Sequence, residues 1–288
     1  MNYFTYIITR FFSVLIGLLP FWVLYLLSDF LRFVLYNIVG YRKAVVEDNL
    51  RKCFPEKDEK EIKRLARLSY KNLADITVES FKGFTMSDKH IVARHKVIKP
   101  EMLNQFSEAG RGVILLPNHY GNWEWGAMSP SLQFKHDVVA LYKPLSNKYI
   151  DRFVRKNRSR TGALLGSIYQ TAEIFESHKD IITAYVMASD QSPSNAKKSI
   201  WVNFLGRDTA FLHGPEVYAR KYNIPVVFVD IQRVKRGFYT MDLTVISDQS
   251  KETEPGDITT AYAKLLEAVI QKKPENWLWS HKRWKLKK

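Results

Sequence analysis

An uncharged apolar run near the N-terminus constrains this chain more than any other sequence feature. Between Arg10 and Asp29 the sequence reads FFSVLIGLLPFWVLYLLS, without a single charged side chain. As one helix rising about 1.5 Å per residue, this run would extend about 27 Å, close to the hydrocarbon thickness of a bilayer. Its large side chains occur all around such a helix rather than along one stripe. The run therefore predicts a membrane helix.

Two other interpretations of the run stay open at this stage. Pro20 could kink it into a hairpin, because apolar residues continue from Tyr3 to Val39. The run could also be a buried helix of a soluble domain. A secretory signal peptide fits less well, since it needs a shorter apolar core and a small-x-small cleavage site. We expect residues 1–40 to form a membrane anchor.

The charge distribution suggests on which side of the membrane the body of the protein lies. Only Arg10 precedes the apolar run, whereas five basic residues follow it closely: Arg32, Arg42, Lys43, Arg51 and Lys52. The positive-inside tendency then places the remaining chain in the cytoplasm. The formal net charge of +15 also indicates a negative partner, which could be nucleic acid, anionic lipid or an acidic protein.

Several chemistries are disfavoured by what the sequence lacks. Cys53 is the only cysteine, so no disulfide can form within the chain, and no Cys/His group has the spacing of a zinc site. The sequence contains no helix-turn-helix, RNA-recognition or zinc-finger pattern. We expect no metal, no cofactor and no nucleic-acid partner.

The pattern of apolar residues predicts two further segments. Residues 41–95 are predicted to be helical, because Ile62, Leu65 and Leu68 recur at helical spacing after the boundary at Pro55. Residues 96–288 alternate short β-branched runs with helical stretches, which predicts an α/β domain with a mixed central sheet flanked by helices. The predicted strands are Val113–Leu116, Val138–Tyr142, Ile181–Val186, Val226–Ile231 and Tyr239–Val245. The predicted helices are 148–157, 168–177, 215–222 and Ile258–Gln271.

The sequence VILLPNHYGNWEWG places a histidine and a glutamate directly after a predicted strand. Side chains that follow the carboxyl end of a strand are where α/β folds usually carry out catalysis. His119 and Glu124 would converge if His119 lies in the turn and Glu124 in the first turn of the next helix. A neutral imidazole can take a proton from a hydroxyl while a carboxylate fixes its tautomer. No G-x-S-x-G elbow occurs in the sequence, which disfavours a covalent serine mechanism.

The motif and several later blocks resemble the late lipid A acyltransferases, the lauroyl/myristoyl transferase family related to lysophospholipid acyltransferases. The matching blocks follow one another along nearly the whole chain: Arg42, Asn49-Leu50, Phe54-Pro55, the segment RSRTG at 158–162, Asp190-Gln191, VNFLG at 202–206 and PENWLWSHKRWK at 274–285. The resemblance implies a lysophospholipid-acyltransferase-like fold and a location at the inner membrane of a bacterium. It also implies His119 as the general base and Glu124 as its partner, without a covalent intermediate.

The resemblance further implies a substrate-binding set and a pair of substrates. The candidate substrate-binding residues are Asn118, Arg158, Arg160, Asp190 and Gln191. Of the two arginines, we favour Arg158 near the reacting carbonyl or an acceptor phosphate. The implied donor is an acyl thioester on acyl carrier protein, which is acidic, or on coenzyme A, and the implied acceptor is a hydroxyl of a lipid A precursor. A phospholipid, an ornithine lipid or another glycolipid is the alternative acceptor.

The C-terminal block differs from the family pattern at one position. Trp277 stands where the family usually has tyrosine, which suggests packing rather than chemistry. The basic residues of the same tail, beside Trp279 and Trp284, predict contact with the membrane interface.

Overall fold

The computed structural model describes residues 2–288. The first part of the chain is helical, as predicted, and the sheet begins at His95. The helices before the sheet are α1 (Asn2–Leu18), α2 (Phe21–Phe33, continued by a π-helical turn at Val34–Ile38), α3 (Lys43–Cys53), α4 (Glu59–Gly83) and α5 (Asp88–Arg94). Helix α4 begins where Asp58 accepts a hydrogen bond from the backbone N–H of Glu61 at 2.7 Å, which satisfies one of the free donors of the first turn.

The α/β part contains nine strands and six further helices among the described residues. In chain order these are β1 (His95–Val97), α6 (Glu101–Glu108), β2 (Val113–Leu116), α7 (Trp123–Gly126), β3 (Asp137–Tyr142), α8 (Lys148–Arg158), β4 (Leu164–Ser167), α9 (Thr171–Ser177), β5 (Thr183–Val186), β6 (Ser199–Phe204), β7 (Arg207–Leu212), α10 (Gly214–Tyr222), β8 (Val226–Lys235), β9 (Phe238–Ser247) and α11 (Asp257–Lys272). All five predicted strands and all four predicted helices of this part are present, with small shifts at their ends.

Seven strands form one mixed sheet in the order β1-β9-β8-β2-β5-β3-β4. Only the β8–β9 pair is antiparallel, and β6 and β7 form a separate two-stranded sheet. The predicted class, a mixed sheet flanked by helices, is confirmed. Strand β2 lies at the centre and is buried on both faces: Ile114 and Leu116 belong to one apolar cluster, and Val113 and Leu115 to the other. A strand with helices on both sides is therefore apolar throughout.

The N-terminal run does not form the single predicted helix. Helix α1 ends at Leu18, and Pro20 precedes α2 with extended backbone angles, so the chain breaks where the hairpin alternative placed a kink. Proline has no N–H to donate, and its ring clashes with the preceding turn, which explains the break. One helix in the described part is long and apolar enough to cross a membrane, Phe21–Ile38, and only 17% of that window is buried. Its apolar outer face is exposed at Trp22, Leu26 and Phe30.

The C-terminal tail packs against the domain rather than facing outward. Trp279 and Arg283 are almost fully buried, and the indole N–H of Trp284 donates to the Thr209 hydroxyl at 2.7 Å. The predicted interfacial role of these tryptophans is therefore wrong, because both indole N–H groups have partners inside the protein. The indole N–H of Trp279 donates to the carbonyl oxygen of Pro274 at 2.7 Å. The tail lysines are exposed.

The turn from β2 to α7 carries the sequence motif and is held by the C-terminal segment. Tyr120 and Trp277 form an antiparallel bridge, and the Gly121 N–H donates to the carbonyl oxygen of Asn276 at 3.1 Å. Gly121 has a φ of +62°, and a Cβ atom there would lie 2.5 Å from the carbonyl oxygen of Ile231. The turn needs glycine both for its backbone angle and for the close approach of β8.

We predict that Gly121→Ala destabilises the fold by about 3 kcal/mol, because left-handed backbone strain of about 1 kcal/mol adds to an overpacking cost of about 2 kcal/mol. Gly110→Ala is the matched control: its φ is +70°, but nothing lies within 4 Å of the added Cβ. It should cost only about 1 kcal/mol. Urea unfolding of both variants measures the difference, and equal losses would mean that the Ile231 contact is unimportant.

Candidate active site

The site lies where two neighbouring parallel strands end. Strand β2 is followed by His119 and strand β5 by Asp190, and the strands pair in parallel with Leu115 opposite Val186. Carboxyl ends of parallel strands meet at one edge of a sheet, so two residues that are 71 positions apart in sequence become neighbours. This edge of the sheet is where the sequence motif predicted the catalytic residues.

The direct partner of His119 is Asp190. Oδ1 of Asp190 lies 2.7 Å from Nδ1 of the imidazole, and its Oδ2 accepts from the backbone N–H of His119 at 2.8 Å. One carboxylate therefore fixes both the ring and the backbone of the histidine. Glu124, the predicted partner, does not contact the imidazole, because its side chain is bound to Arg158. The prediction of a direct His119–Glu124 pair is therefore wrong.

The hydrogen bonds around the imidazole define its tautomer. Since Asp190 is an acceptor, Nδ1 of His119 carries the proton, and Nε2 carries the lone pair. The side-chain nitrogen of Gln191 lies 3.0 Å from this Nε2 and donates to it. The His119 side chain is 22% exposed while that of Asp190 is 2% exposed, so the imidazole is partly accessible and the carboxylate is not.

The charges of the pair stabilise each other. Burial alone would lower the pKa of His119, but the charge of Asp190 and its hydrogen bond raise that pKa above the usual value. Burial would likewise raise the pKa of Asp190, yet the positive charge and hydrogen bonds of His119 lower it to about 2. Asp190 is thus ionised at neutral pH, and His119 binds a proton more readily than a free histidine does.

Trp277 holds the far side of the same carboxylate. Its indole N–H donates to Oδ2 of Asp190 at 2.9 Å, and both groups are buried. Trp277, expected to pack rather than to take part in the chemistry, therefore also orients Asp190 by a hydrogen bond. The signal that was available is the indole N–H itself, because a buried tryptophan nitrogen almost always finds an acceptor.

Glu124 is paired with Arg158 and forms the second charged group of the site. A single guanidinium nitrogen of Arg158 lies 2.9 Å and 2.6 Å from the two carboxylate oxygens, and both side chains are about one quarter exposed. The charge of Glu124 raises the pKa of His119, and that of Arg158 lowers it, so both act on the imidazole through space. The ring of Trp123 lies beside His119, with its centroid 5.4 Å away.

Two of the predicted substrate-binding residues lie outside this group. Arg160 donates to the backbone carbonyl oxygens of Gly83 and Met86, so it ties α4 to the loop that follows it. Asn118 is buried, and its amide donates to the Val229 carbonyl oxygen at 3.1 Å on the neighbouring strand β8. Asn118 points into the protein, whereas Arg160 is partly exposed and also pairs with Asp88 at 3.2 Å, so the structure does not bring either side chain to the imidazole. Arg158, Asp190 and Gln191 are all at the site.

One residue next to the pair escaped the sequence reasoning. His281, in the C-terminal block, accepts a hydrogen bond at its Nε2 from the backbone N–H of Ser192, at 3.0 Å. Burial lowers the pKa of His281 to about 4, so it is neutral at physiological pH and fixes the loop that carries Asp190 and Gln191. Within residues 2–288, no group of three or more His, Cys, Asp or Glu side chains could hold a metal ion.

A family model decides to which group of proteins the chain belongs. The model of the bacterial lipid A biosynthesis acyltransferases matches residues 1–286. The chain belongs to this family. The predicted family and the predicted class of activity, O-acyl transfer, are both confirmed.

Individual members of the family are distant but similar over most of their length. The lipid A biosynthesis lauroyltransferase of Escherichia coli (strain K12) is 24% identical over 270 residues, which cover 93% of this chain and 87% of the relative. The lipid A biosynthesis palmitoleoyltransferase of the same strain is 23% identical over 248 residues, which cover 85% of this chain and 79% of the relative. A lipid A biosynthesis acyltransferase of Haemophilus influenzae is 22% identical over 273 residues, which cover 93% of this chain and 84% of the relative.

We predict that Asp190→Asn lowers the maximal rate of acyl transfer by about 10² or more, because the imidazolium formed during proton transfer loses its counter-charge. The acidic limb of the pH–rate profile should also move to lower pH. That limb follows the pKa of His119, which Asp190 raises, so removing the negative charge lowers it. Initial rates between pH 5 and 9 measure both effects, and an unmoved limb would contradict the pairing.

Proposed function

We propose that this protein transfers a fatty acyl chain from a thioester to a hydroxyl group of a lipid A precursor, with His119 as general base. The observation that carries the proposal is a partly exposed imidazole whose Nδ1 is fixed by a buried carboxylate and whose Nε2, paired with Gln191 in this structure, carries the lone pair that a substrate hydroxyl would meet. This arrangement is the histidine–aspartate part of a serine hydrolase site, and the substrate hydroxyl takes the place of the serine. The family membership supplies the acyl chemistry and supports the acceptor.

The reaction follows from the position of the proton. Nε2 of His119 takes the proton of the acceptor hydroxyl, and the hydroxyl oxygen forms a bond to the thioester carbonyl carbon. The tetrahedral intermediate then collapses and the carbon–sulfur bond breaks. The sulfur leaves as a thiol, with the proton that the imidazolium returns. Asp190 remains ionised throughout and stabilises the imidazolium between the two transfers.

Arg158 is a cation whose charge acts on His119. Glu124 holds its guanidinium by two contacts of one nitrogen, which fixes a positive charge within electrostatic reach of His119. A fixed cation beside the general base can stabilise the oxyanion of the intermediate or bind a phosphate of the acceptor. We assign Glu124 to positioning Arg158 and to raising the basicity of His119.

The donor we propose is an acyl thioester carried by acyl carrier protein. That protein is acidic, and this chain carries a net charge of +15, so electrostatic attraction favours the encounter. Acyl coenzyme A, which is also an anionic thioester, is the other donor to be tested in the same assay.

We also propose that α1 and α2 hold the protein on the cytoplasmic face of the inner membrane. Both helices expose large apolar side chains, among them Phe11, Trp22 and Phe30. The basic residues that follow α2 support the cytoplasmic orientation and contact with anionic lipid. An acceptor anchored in that membrane would then meet the site without leaving the bilayer.

We predict that His119→Ala and Glu124→Ala each lower turnover by about 10² or more with the fold retained. The first removes the base, and the second frees Arg158. Glu124→Gln is the matched control for the second, because it keeps an oxygen for Arg158 and loses only the charge, so it should be less impaired. Turnover is measured with purified acyl carrier protein thioester and a lipid A precursor.

The lipid profile of a deletion strain tests the acceptor. Lipid A that lacks one acyl chain, restored by the wild-type gene and not by the His119→Ala gene, supports the proposal. Unchanged lipid A together with an altered phospholipid or ornithine lipid would contradict lipid A as the acceptor. The proposed acyl-transfer chemistry would still stand. Near-normal turnover of His119→Ala would contradict the general base itself.

Membrane attachment has its own test. Replacing Phe11, Leu26 and Phe30 together by lysine places three charges on the apolar face, each of which costs about 2.5–3.5 kcal/mol at the centre of a bilayer. We expect most of this variant to leave the membrane pellet on centrifugation. Tyr169→Lys, at a residue 72% exposed after β4, is the control and should stay in the pellet. Equal sedimentation would contradict attachment through these helices.

A further inference from the structure

Glu79 of α4 is a fully buried carboxyl with three hydrogen-bond donors. The hydroxyl of Tyr25 donates to its Oε1 at 2.8 Å, and the amide of Asn122 and the hydroxyl of Tyr239 donate to its Oε2 at 2.7 Å and 2.8 Å. The backbone carbonyl oxygen of the same residue accepts from the indole of Trp125 at 2.8 Å. The three donors come from α2, from the turn that carries the motif, and from β9, so one side chain joins three separate parts of the protein.

Asn122 connects this carboxyl to the catalytic residues. It is the N-cap of α7, the short helix that carries Glu124, and its Oδ1 accepts from the backbone N–H of Trp125 at 2.9 Å. It also lies three residues after His119 in the same tight turn. Because the side-chain oxygen of Asn122 caps the helix while its nitrogen is bound to Glu79, any shift of Glu79 moves the turn between His119 and Glu124.

Tyr25 connects the same carboxyl to the proposed membrane helix. The inner face of α2 lies on the domain, with Leu24 and Ser28 fully buried, whereas Trp22 and Leu26 on the outer face are exposed. The ring of Phe21, one turn before Tyr25, lies edge-on to Trp125 at 6.5 Å. Helix α2 therefore contacts α7 directly at one point and through Glu79 at another.

We propose that Glu79 is a positioning residue that ties the catalytic turn to helix α2, so that the seating of α2 controls the geometry of His119, Glu124 and Arg158. This inference rests on the proposed function for its activity measurement. The donor set explains why the tie is rigid: the carboxyl is buried, so loss of one donor leaves a buried oxygen short of a hydrogen bond, which costs free energy. An enzyme coupled in this way transfers acyl chains efficiently only when its membrane helix is in place.

Tyr25→Phe tests the tie, and Ser28→Ala is its matched control. Ser28 lies one turn further along α2 and donates to Asp75 of α4 at 2.6 Å, so its replacement removes an α2–α4 hydrogen bond that does not lead to Asn122. We expect Tyr25→Phe and Glu79→Gln to lower kcat by about fivefold, the equivalent of one hydrogen bond, with the KM for the donor unchanged. Ser28→Ala should lower Tm with kcat unchanged, because the Tyr25–Glu79 hydrogen bond and the Asp29–Arg236 ion pair still hold α2 in place.

A double-mutant cycle shows whether the effect passes through Asn122. Asn122→Ser keeps a capping oxygen and loses the donor to Glu79. In that background, Tyr25→Phe should cause no further loss of kcat, because the tie is already broken. Additive losses in kcat would overturn the proposal, as would a Tyr25→Phe variant with wild-type kcat.

The indole N–H resonance of Trp125, assigned by Trp125→Phe, tests the tie without any substrate. This N–H donates to the backbone of Glu79, so we expect Tyr25→Phe to shift the resonance and Ser28→Ala to leave it in place. An unshifted resonance in Tyr25→Phe would overturn the tie whatever the acceptor is. A shift in a protein that does not acylate a lipid A precursor would instead support the tie and contradict the proposed function alone.

Discussion

The hydrogen bonds between Asp190 and His119 are the interaction on which the rest of the site depends. The two oxygens of Asp190 receive the imidazole N–H, the backbone N–H of the same histidine and the indole N–H of Trp277. The donors come from the end of β2 and from the C-terminal segment, and Asp190 itself follows β5, so the carboxylate joins three distant regions. The charge and hydrogen bonds of His119 keep this carboxylate ionised, and an ionised carboxylate is what an imidazole needs when it takes a proton.

The helical N-terminal part is connected to the α/β part by charge as well as by apolar contact. Asp75 of α4 is fully buried and pairs with Arg233 and Arg236 of the β8–β9 hairpin, and Arg236 also binds Asp29 of α2 at 2.8 Å. Breaking a buried ion pair leaves an uncompensated charge, which is costly, so these contacts fix α2 in one position on the domain. The outer face of α2 remains apolar and available to lipid, and its inner face is bound to the enzyme.

The fold was largely predictable because its strands are apolar throughout and its helices are amphipathic. The five predicted strands include β2, β5 and β3, which lie next to one another, and parallel pairing then brings their carboxyl ends together. Strands β1, β4, β6 and β7 escaped prediction, because β1 has only three residues and the other three are partly exposed rather than apolar throughout. The break at Pro20 lay within reach of the sequence too, since proline disfavours a continuous helix, but composition alone favoured an uninterrupted span.

The sequence by itself determined the family, the α/β architecture and the position of His119 after a central strand, because local patterns encode all three. Only the tertiary structure decided which carboxylate faces the imidazole. Glu124 lies five residues from His119, yet its helix turns it toward Arg158, while Asp190 arrives from 71 residues away by the parallel pairing of β2 and β5. Nearness along the chain is a poor guide where a turn separates two side chains and a sheet brings two strand ends together.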